Sequence, residues 1–294
     1  RCCQFYIKER RYFKKISLQL LLKTKKMKKT LLFIFILFFL QACAGTASRG
    51  VFGSGVSVAF DPRTIGTQID VSIMQKNLLA RLLLKDKKYD LINLTKNFKT
   101  PFAPHGISIF KKDDLYVIVA INHTSNGEFI EIFNLIGTKL IHKKTLKHKL
   151  IFSPNDIVLI DENKFYFTND HKYVDGLNRL FEDYLGLSLS NVIYFDGKNF
   201  KKVANNIAFA NGINFDSERN LIFVASVRKF LVKVFKKNID NSLTFIEDIY
   251  CNTGVDNIEF DSENNLWIGA HPSLLHFNLY ASGITKISPS ELIK

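Results

Sequence analysis

One short pattern occurs four times between residues 105 and 258 of this 294-residue chain. Each copy has two polar or glycine residues before an isoleucine, and an apolar residue opens a second strand-like run eight residues after that isoleucine. The copies are His105-Gly106-Ile107, Asn155-Asp156-Ile157, Asn211-Gly212-Ile213 and Asp256-Asn257-Ile258, and the second runs open at Leu115, Phe165, Leu221 and Leu266. Because a polar turn separates the two runs each time, every copy is predicted to be a β-hairpin.

The spacing of the copies predicts the fold class. Successive isoleucines are 50, 56 and 45 residues apart. A period of about 40 to 50 residues made of short strands is typical of an all-β protein of the β-propeller type, in which each repeat is one blade around a central channel. Further alternating runs, at 129–133 and 232–235, predict third strands. A helix or lid is predicted at 174–187, inside the longest interval.

The net charge of +14 does not indicate a nucleic-acid partner. Residues 1–29 contain eleven Lys or Arg against Glu9 alone, which gives +10 and leaves +4 for the remaining residues. A surface that binds phosphate backbones needs its positive charge on the folded domain. The sequence therefore predicts no nucleic-acid binding.

The amino-terminal residues are typical of an exported protein. Met27-Lys28-Lys29 precedes an apolar run at 31–40, and Leu40-Gln41-Ala42-Cys43 follows. This segment resembles a bacterial lipoprotein signal peptide over 27–43. The resemblance implies that Cys43 is acylated and anchors the protein to a membrane, and we expect the outer membrane. A plain secretory signal or a transmembrane anchor is the alternative. Residues 1–26 are interpreted as an untranslated or misannotated leader.

Residues 44–88 are predicted to be a linker followed by a helix at Ser72–Leu84. The sequence DPRTIGTQID at 61–70, together with its flanks, resembles the amino-terminal region of BON-domain lipoproteins over about 27–87. We therefore expect a fusion with its junction near Asp86–Asp90, and an ordinary anchor and linker is the alternative. Residues 89–294 are predicted to form the propeller domain.

Polar residues open the predicted inner strands and would meet on the propeller axis. Their amide and carboxylate oxygens, with one imidazole, are ligands that suit a hard cation such as Ca²⁺. The set is His105, Asn155, Asp156, Asn211, Asp256 and Asn257. Asp170, Ser226 and His271 each follow their isoleucine by 13 residues and are expected at the other end of the channel or on a blade rim.

Cys251 is the single cysteine after Cys43. Its neighbours Ile249 and Tyr250 belong to a strand-like run, which favours a buried structural thiol. A nucleophilic thiol is the alternative, and it would need a group that stabilises the thiolate.

Nine segments in order and spacing make the chain resemble the paraoxonase family over about 90–280. They are PHGIS (104–108), NH (122–123), LKHKL (146–150), PNDIV (154–158), FYFTNDH (165–171), YLGL (184–187), FANGIN (209–214), VDNI (255–258) and LWIGAHP (266–272). The resemblance implies a six-bladed propeller with two calcium ions that hydrolyses lactones and aryl esters.

The resemblance also implies roles for individual residues. Those at Asn155, Asn211, Asp256 and Asn257 would hold the catalytic calcium, and Asp156 and the backbone of Ile107 the structural one. His105 and His123 would form a pair that activates water. Asp170 and His271 match positions in the second tier of the active site.

The chain also departs from the family pattern. The family's amino-terminal Glu-Asp pair has no counterpart here, and we expect about four blades rather than six. The predicted function is a calcium-dependent arylesterase or lactonase acting on a small-molecule ester. The alternatives are a sugar lactonase of a related propeller class, a non-catalytic lipid-anchored scaffold, or an inactive fusion product.

Overall fold

The computed structural model describes residues 80–85, 88–113, 115–261, 263–281 and 283–294. These residues lie within one compact unit, Arg49–Lys294. The predicted signal peptide with Cys43, the linker and the 61–70 segment lie outside the described residues. Among the helices that are described, none is long and apolar enough to cross a lipid bilayer.

Short strands make up most of the described chain. In order they are β1 (Ala80–Lys85), β2 (Lys88–Asn93), β3 (Pro104–Lys112), β4 (Leu115–Thr124), β5 (Gly127–Ile136), β6 (Lys139–Leu146), β7 (Pro154–Asp161), β8 (Lys164–Asn169), β9 (Ser190–Phe195), β10 (Phe200–Ile207), β11 (Ala210–Asp216), β12 (Leu221–Ser226), β13 (Leu231–Lys237), β14 (Leu243–Tyr250), β15 (Gly254–Phe260), β16 (Leu266–His271) and β17 (Glu291–Ile293). The helices are α1 (Gly176–Leu185) and α2 (Leu274–Ala281), with a 3₁₀ turn at Val227–Lys229.

Consecutive strands pair antiparallel into four sheets, which we call blades. Blade 1 is β3-β4-β5-β6, blade 2 is β7-β8-β9-β10, blade 3 is β11-β12-β13-β14 and blade 4 is β15-β16-β17. Strands β1 and β2 form a separate hairpin. The four predicted hairpins are confirmed as β3-β4, β7-β8, β11-β12 and β15-β16.

The blades pack face to face because their central strands are apolar on both faces. Successive side chains in a strand point to opposite faces. Phe165 and Phe167 therefore pack in the core shared with blade 1, whereas Tyr166 between them packs in the core shared with blade 3. Blade 3 repeats the arrangement, since Ile222 faces blade 2 and Phe223 faces blade 4. Burying each such large side chain stabilises the fold by about 1.5 to 3 kcal/mol.

The structure confirms some sequence predictions and corrects another. Helix α1 lies inside the predicted helix or lid at 174–187. The predicted helix at Ser72–Leu84 is wrong over Ala80–Leu84, where β1 pairs with β2. Pairing of Leu82 with Leu91 and of Leu84 with Tyr89 supplies backbone hydrogen bonds between strands, and these override the helical preference of a leucine-rich run. The described residues form four propeller blades, the number expected from the repeats.

Candidate metal centre and active site

The inner strands approach closely because glycine alternates with larger residues in the repeated pattern. A Cβ added at Gly106 would lie 2.7 Å from the Asn155 carbonyl oxygen, and one added at Gly212 would lie 2.4 Å from the Asp256 carbonyl oxygen. Real Cβ atoms do not come so close to backbone. The glycines of blades 1 and 3 thus leave room for the polar residues that open the inner strands of blades 2 and 4.

His105 and His123 meet at this end of blade 1, as the sequence predicts. Their ring centroids are 5.1 Å apart, and the ring planes are nearly perpendicular at 88°. Burial and the neighbouring His123 together lower the pKa of His105 to about 4, although the carboxylates of Asp170 and Asp256 act in the opposite direction. The buried Nδ1 of His105 has no hydrogen-bond partner. His105 is thus a neutral imidazole with a free ring nitrogen at neutral pH.

His123 has a partner that the sequence analysis did not identify. Its Nδ1 is hydrogen-bonded to the carboxylate of Glu128, across the tight turn between β4 and β5. This bond fixes the orientation of the ring. The signal in the sequence was an acidic residue five positions after a histidine, with the polar residues Thr124, Ser125 and Asn126 between them.

Asn122, the residue before His123, holds the segment that leads into His105. The Oδ1 of this fully buried side chain accepts a hydrogen bond from the backbone N–H of Ala103 at 2.8 Å. Its Nδ2 donates to the Pro101 carbonyl oxygen at 3.1 Å and to Glu131 Oε1 at 3.0 Å. The start of β3 is therefore fixed relative to β4.

Asn155 is the clearest candidate ligand in blade 2. Its Nδ2 donates to Asp170 Oδ2 at 3.3 Å, whereas its Oδ1 is buried without a hydrogen-bond partner. A buried polar atom without a partner costs about 1 to 3 kcal/mol. Asp170 at the end of β8 thus orients the Asn155 amide and leaves its oxygen free for a ligand.

Asp156 lies on the other side of the same strand. Burial raises its pKa to about 7, although its two oxygens accept hydrogen bonds from the backbone N–H groups of Ile157 and Ile213, each at 2.9 Å. The bond to Ile213 links blade 2 directly to blade 3. A partly buried carboxyl that has no cationic partner among the described residues is a position that a metal ion would stabilise.

Blades 3 and 4 provide the remaining predicted ligands. Asn211 is buried, and its carbonyl oxygen accepts a hydrogen bond from Thr168 at 2.8 Å. Asp256 Oδ2 is 2.9 Å from His271 Nε2, and the Nδ1 of His271 is buried without a partner. Asn257 is exposed, and its Cα packs against Gly212.

Asp170 and His271 are at the same end of the channel as the predicted ligands, not at the other end. Asp170 directly follows β8 and His271 ends β16, and Asn155 and Asp256 lie near the start of the partner strands β7 and β15. An antiparallel hairpin returns the chain to the end from which it began, and this places Asp170 beside Asn155 and His271 beside Asp256. Ser226, at the corresponding position of blade 3, makes no such contact with a predicted ligand among the described residues. Its hydroxyl donates a hydrogen bond to the Ala208 carbonyl oxygen at 3.1 Å.

The donor set fits a hard cation in its chemistry. Within the described ranges, no three His, Cys, Asp or Glu side chains are arranged to hold a metal ion. The predicted set relies mainly on asparagine and backbone oxygens, which calcium accepts. Two observations favour such an ion: the buried oxygen of Asn155 has no partner, and the pKa of the partly buried Asp156 carboxyl is raised.

A second histidine cluster lies under α1, and the sequence analysis gave it no role. The His171 side chain is 1% exposed and lies between Asp170 Oδ1 and Asp183 Oδ1, both at 2.7 Å from its ring nitrogens. Burial by itself lowers the pKa of His171, but the two carboxylates raise it to about 9. Arg179 and Arg228 also contact Asp183. This cluster ties α1 to the carboxylate that orients Asn155.

Cys251 is a half-buried thiol. It packs against the core between blades 3 and 4, and burial raises its pKa. A raised pKa disfavours the thiolate, so this environment supports the structural interpretation over the nucleophilic one.

Comparison with known proteins finds a family model and relatives whose descriptions agree with one another. A family model described as arylesterase matches residues 53–294. Serum paraoxonase/arylesterase 2 of Gallus gallus is 34% identical over 194 residues, which are 64% of this chain and 55% of that protein. Serum paraoxonase/arylesterase 1 of Homo sapiens is 32% identical over 230 residues, which are 76% of this chain and 62% of that protein.

One solved structure with a similar chain path is regucalcin, a calcium-binding protein from Agrobacterium tumefaciens. It has a TM-score of 0.43 and 13% identity, with 66% of this chain and 60% of that chain covered.

The family match extends beyond the segments that first indicated it. It begins at residue 53 and so includes part of the segment that resembles BON-domain lipoproteins, a resemblance to which none of these matches adds support. The chain spans 55% to 62% of the length of the two paraoxonase/arylesterases. Since the matching residues make up more than half of the chain, this protein belongs to the arylesterase family.

Proposed function

We propose that this protein is a calcium-dependent hydrolase of lactones or aryl esters, and that His105 accepts a proton from the attacking water. The observation that carries the proposal is the partly buried, neutral imidazole of His105, whose buried Nδ1 has no partner, at the end of the channel where Asn155 Oδ1 also has none. The names of the relatives, paraoxonase/arylesterase, point to the same class of reaction.

His105 can act as a base because it is neutral at neutral pH. A general base needs a free ring nitrogen within reach of the water that it deprotonates. The nearby carboxylates of Asp170 and Asp256 stabilise the imidazolium that forms when the proton arrives. The burial that keeps the ring neutral before the reaction is thus offset by these charges once the proton has been transferred.

His123 and Glu128 support that proton transfer. The His123 ring is close to His105, and its Nδ1 is fixed by the Glu128 carboxylate. Glu128 thereby keeps the His123 ring in place beside His105. We assign His123 as the residue that shares the proton, and Glu128 as a positioning residue acting through it.

Asn155, Asn211, Asp256 and Asn257 would hold the catalytic calcium, and Asp156 with the backbone of Ile107 a structural one. When bound, the catalytic ion would polarise the ester carbonyl and stabilise the oxyanion that develops on it. Asp170 and His271 keep Asn155 and Asp256 oriented toward this position.

Hydrolysis of phenyl acetate and of a panel of lactones by the full chain tests the proposal. We expect turnover that a calcium chelator abolishes and added calcium restores. A folded protein with no chelator-sensitive turnover on any of these esters would reject the hydrolase. The melting temperature measured with and without chelator reports calcium binding independently of activity.

The alternative function is a calcium-stabilised scaffold without catalysis. The presence of a single carboxylate, Asp256, in the predicted catalytic ligand set favours weaker calcium binding, because affinity depends on ligand charge. A melting temperature that falls with chelator, in a protein that hydrolyses none of the esters, is the outcome expected of this alternative.

Attachment to a membrane through acylated Cys43 is a separate proposal, supported by the lipoprotein-like segment at 27–43. Incorporation of labelled palmitate during expression in a bacterial host, compared between the native sequence and Cys43→Ser, tests it. Equal labelling of the two proteins would contradict the anchor.

A further inference from the structure

A cleft with a strongly basic lining lies on the outer edges of blades 1 and 2. Its volume is about 390 Å³, and its lining comes from the end of β6 with the following loop and from the β9-β10 turn. Three of the lining residues are Lys144, Lys147 and Lys198, and no carboxylate is among them. The cleft is outside the channel and shares no residue with the candidate active site.

The positive charge extends beyond the cleft itself. Eight exposed lysines lie on these two stretches of chain, and none of them forms an ion pair with a residue that the structure describes: Lys139, Lys143, Lys144, Lys147, Lys149, Lys198, Lys201 and Lys202. Elsewhere, Lys112, Lys164 and Lys233 each pair with a carboxylate. Residues 139–149 contain no Asp or Glu. Like charges held this close repel one another, and an anion in the cleft would relieve that repulsion.

Two carboxylates lie near the patch and do not neutralise it. Asp196 places a negative charge next to Lys198. Its Oδ1, however, accepts hydrogen bonds from the backbone N–H groups of Lys198 and Asn199, at 2.8 Å and 2.6 Å. It is therefore engaged in its own turn. Asp240 is within electrostatic range of Lys201, and its Oδ1 accepts a hydrogen bond from Ser242.

The floor and wall of the cleft are rigid. Phe195 and Leu146 are buried in the core between blades 1 and 2. The His148 ring stacks on Phe200, with centroids 4.7 Å apart and an interplanar angle of 13°. His148 Nδ1 accepts a hydrogen bond from the Leu150 backbone N–H at 3.2 Å, which leaves Nε2 as the ring nitrogen that carries a proton and donates.

We propose that this cleft binds a compact anion bearing phosphate groups, held by Lys144 and Lys147 of blade 1 and Lys198 of blade 2. Lysine ammonium groups bind phosphate as point charges and need no fixed geometry. A nucleic acid is disfavoured because Phe195 and Phe200 are packed against the core and offer no open face for base stacking, and because the patch has no arginine.

Titration of the full chain with inorganic pyrophosphate tests the cleft directly, at an ionic strength kept constant with NaCl and with a constant excess of EDTA in every sample, so that removal of calcium by pyrophosphate does not contribute. The cleft variant is Lys144→Glu/Lys147→Glu/Lys198→Glu. The matched control, Lys99→Glu/Lys111→Glu/Lys286→Glu, changes the net charge equally at exposed lysines outside the cleft. We expect pyrophosphate to raise the melting temperature of the native protein and of the control. The cleft variant should bind at least about 10-fold more weakly, a difference of about 1.4 kcal/mol.

A second arm distinguishes the two sources of such a phosphate. Co-sedimentation with phosphatidylcholine vesicles, with and without phosphatidylglycerol, tests a lipid headgroup, and pyrophosphate is added as a competitor. Vesicle binding that pyrophosphate displaces supports a lipid source, and pyrophosphate binding without vesicle binding supports a free phosphate compound.

Three results would overturn the proposal. One is the absence of binding in both arms, and another is equal weakening in the cleft and control variants. The third is tight binding of a single-stranded oligonucleotide that pyrophosphate does not displace. If the triple cleft variant is not folded by circular dichroism, Lys144→Gln/Lys198→Gln replaces it, with the same expected direction.

Discussion

Two histidines in neighbouring blades, His105 and His171, have opposite net pKa shifts, although burial lowers the pKa of both. His105 in blade 1 has a pKa lowered to about 4 and a ring nitrogen without a partner. His171 in blade 2 has a pKa raised to about 9 and a carboxylate on each ring nitrogen. Desolvation lowers the pKa of both rings, and the partners of each ring decide whether its net pKa shift is downward or upward.

The difference separates a reactive region from a structural one. A histidine that is hydrogen-bonded through both nitrogens holds its neighbours in place and has no nitrogen free to accept a proton. A neutral histidine with a free nitrogen costs stability but is available for chemistry. Asp170 connects the two regions, since it contacts His171 and also orients Asn155.

Replacement of His105 should have the largest effect on activity. We expect His105→Gln to lower kcat for phenyl acetate by about 10²- to 10⁴-fold, the range that general base catalysis contributes. The melting temperature should change little, because Nδ1 forms no hydrogen bond that could be lost. The exposed His276 gives the control, His276→Gln. Full activity in His105→Gln would exclude this residue as the base.

Replacement of His171 should act on stability instead. His171→Leu leaves Asp170 and Asp183 buried without their shared partner, and we expect a loss of about 3 to 5 kcal/mol in the free energy of unfolding at pH 6. Urea titrations of the two proteins measure it. A loss below about 1 kcal/mol would show that the arginines around Asp183 hold the cluster without the histidine.

The pH dependence of this difference has a defined sign. Because the pKa of His171 is raised from 6.5 to about 9, its stabilisation is fully present below pH 6.5 and is lost as the pH rises through about 9. The pKa of Asp183 is lowered to about 2, so its contribution is present above 3.8 and is lost as the pH falls through about 2. Urea titrations at pH 6 and pH 9.5 should show the gap between native protein and His171→Leu narrowing at the higher pH.

Gly106 tests whether the close approach of the inner strands matters to the reactive region. In Gly106→Ala the new Cβ would meet the Asn155 carbonyl oxygen and the Asp156 Cα, both at 2.7 Å. We expect a loss of stability of about 1 to 3 kcal/mol and reduced hydrolysis. Gly269→Ala is the matched control, since nothing lies within 4 Å of its added Cβ. Equal effects of the two substitutions would contradict the packing argument.

Replacement of Glu128 should have the smallest effect on activity. We expect Glu128→Gln to lower kcat by about 10-fold, the lower end for removal of a supporting hydrogen bond. The pH profile of kcat/KM should also shift, because a charge next to His123 is removed. Glu263→Gln removes an exposed carboxylate away from the pair and should change neither quantity. An unchanged pH profile in Glu128→Gln would argue against the positioning role.

Sequence reasoning located the repeated hairpins well because each carries its own local signal. The isoleucine pattern, the polar turn and the following apolar run all lie within about fifteen residues of one another. Interactions between distant residues were not visible in the same way. Asp183 contacts His171 from α1, and the β1-β2 hairpin replaces a predicted helix because its leucines pair with β2.

The sequence by itself determined the blades and the polar residues that open their inner strands. These features are set by period-two alternation and by residue chemistry within each repeat. The pair His105 and His123 was implied by the resemblance of the motifs to the paraoxonase family. The tertiary structure alone decided which of these groups obtain partners. The low pKa of His105, the free oxygen of Asn155 and the two carboxylates on His171 arise from desolvation and from contacts between different strands, hairpins and helix α1, and no local pattern encodes them.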